Sequence, residues 1–168
     1  MKRIFVLVTI LALAFSASAA VKYDGYTGYN VDGFMVFVPE SWEISILDGK
    51  TVFAPDGTDR ALVANVRHLS EDDDLTQREY AGLVYGTVFR LMNLDNLQRE
   101  EITLHDDYAE IWSSVDNYGS ITAGLAYLHN ADLLSLYYEV FHGEQDPELA
   151  ELRAICEMVT PVDIYKQD

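Results

Sequence analysis

Gly33-Phe34-Met35-Val36-Phe37-Val38-Pro39-Glu40-Ser41-Trp42 is the stretch on which the reading of this chain turns. Five apolar residues, three of them β-branched or aromatic on alternate positions, follow an Asp32-Gly33 turn signal. Pro39 has no amide hydrogen to offer a neighbouring strand, so it closes the run. Phe34 to Val38 therefore reads as a strand, and Trp42 lies a few residues beyond its end.

Outward from this strand the pattern stays extended. Thr51 to Ala54 sits between Asp48-Gly49 and Pro55-Asp56-Gly57, a short strand between two turns. Arg60 to His68 alternates with Leu62, Ala64 and Val66 on one side. From Ser70 the period changes. Thr76-Gln77-Arg78-Glu79 is a capping box, and Tyr80, Val84, Val88 and Leu91 recur at helical spacing. A helix of about four to five turns is predicted here. Four strand-like runs follow, Leu97 to Leu104, Tyr108 to Val115, Ser120 to Leu128 and Leu133 to His142. Short polar turns between them suit an antiparallel meander. Asp146-Pro147 then opens a last helix whose seam is Leu149, Leu152, Cys156 and Val159, with Pro161 ending it. Upstream, Tyr23 to Asn30 is rich in glycine and tyrosine and reads as a turn-laden lead-in or a short hairpin.

This order resembles the PsbP-like family, which includes the extrinsic photosystem subunit, the small yeast import factor that binds Ran, and DcrB-type bacterial envelope proteins. The likeness is carried by Gly33-Phe34 through Val38, by Pro39-Glu40-Ser41-Trp42 and by the Asp74-Leu75 entry to the helix, and covers most of residues 33–161. It implies an α+β fold: one antiparallel sheet of about six to seven strands, with the long middle helix and the C-terminal helix packed on it. It also implies a scaffold used mostly for binding, although its members have unrelated partners and a fold does not transfer a function. The lipid-anchor cysteine common in bacterial relatives is missing here.

The first nineteen residues read differently from the rest. Lys2 and Arg3 precede an uncharged run from Ile4 to Phe15, and Ala17-Ser18-Ala19 offers the small side chains that signal peptidase accepts. The run is too short to span a bilayer, which takes roughly 20 apolar residues. The expected organisation is a cleaved signal peptide at 1–19, a Gly/Tyr-rich lead-in at 20–32 and a single PsbP-like domain at 33–168. Cleavage removes two of the 11 basic residues and none of the 28 acidic ones, which takes the formal charge from −17 to −19. Phosphate backbones and anionic headgroups are repelled by such a charge. Nucleic-acid binding and membrane insertion after cleavage are thus not expected, and a soluble monomer in the periplasm or outside the cell is. Cys156 is the one cysteine, so no intrachain disulfide forms.

No nucleophile elbow, phosphate-binding loop or zinc spacing occurs in the chain. Catalysis and a cofactor are accordingly not expected. Weak metal candidates are Asp72, Asp73 and Asp74 with His68, since hard cations favour several carboxylate oxygens. The competing reading is a solvated acidic turn complementing the start of the following helix. His105-Asp106-Asp107 reads as a surface turn and Cys156 as a buried, inert thiol. On the strands, Tyr108, Glu110 and Trp112 share one face and Tyr137, Glu139 and Phe141 another. Either a helix covers them, or they form an aromatic recognition surface for a protein or glycan. Opposite them, Ala109, Ile111, Val115, Leu134, Leu136, Tyr138 and Val140 read as core. On the middle helix, Gly82 and Gly86 fall away from the apolar face with Phe89 at its edge, either drift at tolerant surface positions or a stripe that another backbone approaches closely.

These features favour a non-catalytic exported domain that recognises an envelope protein. The alternative is a periplasmic protein that binds a small ligand or a cation. The two differ physically: protein recognition needs an exposed apolar patch, and ligand binding a closed apolar pocket with a few convergent polar groups. Export itself has a direct check. The intact mass of the secreted chain should fit the 149 residues that start at Ala20, whereas a membrane-bound form retaining Met1 would contradict a soluble product.

Overall fold

Two-residue turns set the strand pairing. In Asp24-Gly25, Asp32-Gly33 and Asp48-Gly49 both residues have positive φ, as does His105-Asp106. Such turns twist with the same hand as the strands they join, and aspartate before glycine is the pair that adopts them most readily. The computed structural model of the chain describes residues 21–69, 79, 97–141 and 145–165. Its elements are β1 (Val21–Tyr23), β2 (Tyr26–Val31), β3 (Phe34–Pro39), β4 (Trp42–Leu47), β5 (Lys50–Pro55), β6 (Arg60–His68), β7 (Gln98–Leu104), β8 (Asp107–Val115), β9 (Ile121–His129), β10 (Asp132–Val140), α1 (Gln145–Met158), β11 (Thr160–Pro161) and α2 (Val162–Tyr165).

All pairings are antiparallel, and they build two sheets where the sequence suggested one. The larger has seven strands in the order β4-β5-β6-β10-β9-β8-β7, and the smaller four in the order β1-β2-β3-β11. The stretch read as a lead-in is the β1–β2 hairpin, and β2 continues onto β3 from Tyr26 opposite Pro39 to Val31 opposite Phe34. The chain then passes Glu40-Ser41 and begins the larger sheet at Trp42. Pro39 therefore ends one sheet rather than merely one strand. Pro161 does not terminate the chain's order either. It pairs with Phe34 in β11, and Val162 N–H donates to Gly33 O (2.8 Å) at the start of α2. The expected middle helix, with its Tyr80, Val84, Val88 and Leu91 face, and the signal segment lie outside the described residues.

The main core lies between one face of the large sheet, the small sheet and α1. Leu134, Leu136, Tyr138 and Val140 from β10 meet Ala123, Leu125 and Tyr127 from β9 and Ala109 and Ile111 from β8. Phe34, Val36 and Val38 come from β3, and Leu152, Ile155, Cys156 and Val159 from α1 and its end. The residues read as core are therefore buried, apart from Val115, which is half-buried at the margin. β3 is buried on both faces because α2 covers its other side, where Phe37 and Tyr165 have ring centroids 6.3 Å apart.

A second, smaller cluster forms on the opposite face of the large sheet. Trp112, Ala126, Leu128 and Leu133 are buried there, with Leu69, Leu97, Tyr108 and Tyr137 packed around them. Gly124 makes this face possible. It pairs with Trp112 on one side and Tyr137 on the other, so the indole can lie across a position without a side chain. A Cβ at residue 124 would stand 2.1 Å from Leu136 O and 2.9 Å from the Trp112 ring. Relief requires moving backbone in the centre of the sheet. Gly124→Ala should therefore cost about 2–3 kcal/mol, the upper part of the range for overpacking. Urea denaturation would measure it, and a loss under about 0.5 kcal/mol would show that the sheet yields freely.

Candidate functional site

β4 is an edge of the seven-stranded sheet, and it is the strand that the sequence reading passed over. Its signal was present: Trp42, Ile44 and Ile46 alternate with Glu43 and Ser45, and Asp48-Gly49 closes the run. Trp42 is buried, while Glu43 to Leu47 are all exposed. Ile44 is 45%, Ile46 55% and Leu47 65% accessible, and among the described residues no strand pairs with the outer side of β4. The turn geometry also says which backbone groups face out. Leu47 and Lys50 flank a two-residue turn and so form a hydrogen-bonded pair, which alternates along the ladder. Glu43, Ser45 and Leu47 bond towards β5, and Trp42, Ile44 and Ile46 turn their N–H and C=O groups outward. Pro55, opposite Trp42, fits this register because its missing N–H is not needed there.

The other edge, β7, is guarded. Arg99, Glu100 and Glu101 interrupt it with charge. Arg153 on α1 reaches it with a two-pronged bond to Glu100, Nη1 to Oε1 at 3.2 Å and Nη2 to Oε2. A cleft of about 190 Å³ lies beside this contact, lined by Arg99, Trp112, Leu149, Leu152 and Arg153 among others. Ligand pockets usually run to roughly 300–1,000 Å³.

The aromatic residues singled out from sequence do meet. Tyr108, Trp112 and Tyr137 share one face, the Trp112 and Tyr137 centroids are 6.1 Å apart, and the Tyr108 hydroxyl donates to Glu110 Oε1. Trp112 is only 3% exposed, however, and Glu110 is buried beside it. Burial, followed by the nearby Glu139 carboxylate, pushes the Tyr137 phenol up to about 12. Trp112 is thus a packed residue of this face, while Tyr108 and Tyr137 beside it are half-buried. Phe141, beyond the end of β10, stays half-exposed.

The other candidates separate. His68 is exposed at the end of β6 and donates from Nδ1 to Asp132 Oδ1 (2.7 Å). Asp72, Asp73, Asp74, Gly82, Gly86 and Phe89 lie outside the described residues. Among the described residues no group of three or more His, Cys, Asp and Glu side chains is arranged to hold a metal ion. Cys156 is fully buried, and burial pushes its thiol far up, so it keeps its proton. His105 donates from Nε2 to Val159 O (3.1 Å), tying the β7–β8 turn to the end of α1.

No protein-family profile matches the chain, and no curated protein matches it by sequence. Solved structures do match in shape. Cyanobacterial PsbP (CyanoP) from Synechocystis sp. PCC 6803 superposes with a TM-score of 0.64 at 13% identity, over 90% of this chain and 98% of that one. The fold is PsbP-like. LpqN, involved in cell envelope biogenesis of Mycobacterium tuberculosis, superposes with a TM-score of 0.55 at 17% identity, over 84% of this chain and 88% of that one. At such identities the likeness is one of fold.

The PsbP-like sheet carries one further cluster that sequence reading missed, because its members are far apart in the chain. His129 stands between two carboxylates, donating from Nδ1 to Asp107 Oδ2 (2.6 Å) and from Nε2 to Asp163 Oδ2 (3.1 Å). The Tyr127 hydroxyl lies 3.4 Å from the same Asp107 oxygen, and burial raises its pKa further than that carboxylate does. Burial alone would lower the histidine's pKa, but the two carboxylate bonds outweigh it and hold it above the ordinary 6.5. Asp163 is lowered from 3.8, first by its bond to His129. A raised histidine stabilises the fold fully below pH 6.5, and this is lost as pH rises through its folded value. A lowered aspartate stabilises above pH 3.8, and this is lost on acidification. The clamp that joins α2 to the sheet is therefore strongest between those limits. Thermal melts should show His129→Gln least stable relative to wild type near pH 5, with the deficit shrinking above pH 6.5. A deficit constant from pH 5 to 9 would show that the imidazole charge plays no part.

Proposed function

We propose that this chain is an exported, non-catalytic domain that recognises a protein of the cell envelope. The observation that carries this reading is the exposed Ile44 and Ile46 pair, with Leu47 beyond it, on a β4 edge that no described strand pairs. Apolar side chains are ordinarily scattered singly over a surface; Ile44 and Ile46 stand side by side on one face of the strand, with Leu47 at its end on the other, and so offer a partner apolar area to bury. A ligand binder would instead close an apolar pocket, and the cleft beside Arg153 is too small for that and lined by charge.

Three further points support the reading. The N-terminal pattern of Lys2, Arg3, the apolar run and Ala17-Ser18-Ala19 suits export. No helix among the described residues is long and apolar enough to cross a membrane. A structure of the same fold, LpqN, is described as involved in cell envelope biogenesis.

An affinity capture from the host's envelope fraction, with the mature chain as bait, tests the proposal. Wild type should retain a defined protein, and the Ile44→Lys, Ile46→Lys double variant should retain at least tenfold less. Both substitutions are at exposed positions, where the stability change is ordinarily within about 0.5 kcal/mol, so folding should be intact. Equal retention by the variant would remove β4 as the surface, and retention of nothing by wild type would remove the recognition reading.

A further inference from the structure

We infer that the β4 edge takes up an extended, basic segment of the partner as an eighth strand of the large sheet. The inference rests on the recognition reading above and names the chemistry of the same surface.

An edge strand is a row of unpaired backbone donors and acceptors, and natural sheets ordinarily blunt it with lysine, proline, a bulge or a covering segment. Among the described residues β4 carries none of these. Trp42-Glu43-Ile44-Ser45-Ile46-Leu47 has no lysine or proline, and its pairing with β5 runs through six consecutive pairs without a bulge. Every residue from Glu43 to Leu47 is exposed. The contrast lies within one sheet: β7 at the far end is charged and tied to Arg153, whereas β4 presents isoleucines. The outward N–H and C=O groups of Ile44 and Ile46 would give an incoming strand its main-chain bonds, and alternate side chains would give it specificity.

The register dictates the pattern of that strand. Residues placed directly opposite Ile44 and Ile46 lie on the core-side face and gain by being apolar. The residue between them lies on the face that carries Glu43 and Ser45, where a cation is favoured. The whole chain carries a formal charge of −17, which draws in a basic segment and repels a second copy of itself. Lys50, across the hairpin from Leu47, is the one base on β4 or β5.

A synthetic peptide alternating four lysines with three valines, with blocked ends, is the probe. In a second peptide the valine nitrogens are N-methylated, which keeps charge and composition and removes the donors that would face Ile44 and Ile46. Amide NMR of the labelled mature chain should show the first peptide shifting β4 resonances and slowing hydrogen exchange at Ile44 and Ile46. The N-methylated peptide should bind at least tenfold more weakly. Ile46→Pro, which removes an outward N–H and leaves the β4–β5 bonds intact, should lose binding by a similar factor. Ile46→Lys, which adds a like charge, should do the same if the proline variant fails to fold.

Equal binding of both peptides would overturn the inference, since attraction to an acidic chain would then explain everything. So would protection mapped away from β4, or a dimer of the free chain that Ile46→Lys dissociates, which would make a second copy the occupant. If the envelope partner is still captured by Ile46→Pro and Ile46→Lys, the edge is not its docking site, and strand addition fails while recognition stands. If the peptide adds at β4 but no envelope protein is captured, the edge chemistry stands and the proposed function fails.

Discussion

Tyr138 joins the layers of this molecule. Its ring stacks on Trp42 with planes 11° apart and centroids 6.2 Å apart, and its hydroxyl donates to Glu148 Oε2 at 2.5 Å. Arg60 Nη1 completes the knot, 3.0 Å from both Glu148 Oε2 and Glu151 Oε2. One side chain on β10 thus connects the start of β4, the start of β6 and the first turns of α1. A buried phenol without a partner would cost about 1–3 kcal/mol, so Glu148 is what permits a tyrosine at this point in the core. Burial, reinforced by that carboxylate, raises the phenol's pKa strongly and keeps it a donor.

Trp42 is also where the chain changes sheet, and its anchoring explains why the next five residues run outward. The indole fills the core margin beside Tyr138, after which β4 has a described strand on one side only. Ile44 and Ile46 share the face of Trp42 by strand alternation, yet they are exposed where Trp42 is buried. At the other end α1 reaches β7 through Arg153 and Glu100, which leaves the two edges chemically unlike.

The polar contacts divide by depth. Lys22 and Glu40, 3.4 Å apart and well exposed, add little in water. His129, whose side chain is 16% exposed, holds Asp107 at the end of the meander and Asp163 on α2, and is better placed to matter. It pins a helix of only four residues that could not persist alone.

Much of the fold was legible locally. The Asp-Gly turns, the alternation in β6, β8 and β10, the Asp146-Pro147 helix start and the Leu152, Cys156 and Val159 seam are near-neighbour chemistry, and the PsbP-like likeness rested on their order. The division into two sheets was not legible, because Glu40-Ser41 resembles any short connection and only packing around Trp42 separates β3 from β4. The aromatic face was ambiguous for a similar reason: alternation shows that Tyr108 and Trp112 share a side, and not whether that side is covered. Gly124 was the missed clue, a glycine inside a strand where a ring must cross. The sequence by itself therefore determined strands, turns and faces, each a matter of a few adjacent residues. Which faces closed, which edge stayed open and which carboxylates met His129 depended on long-range packing, where residues tens of positions apart compete for the same limited cover.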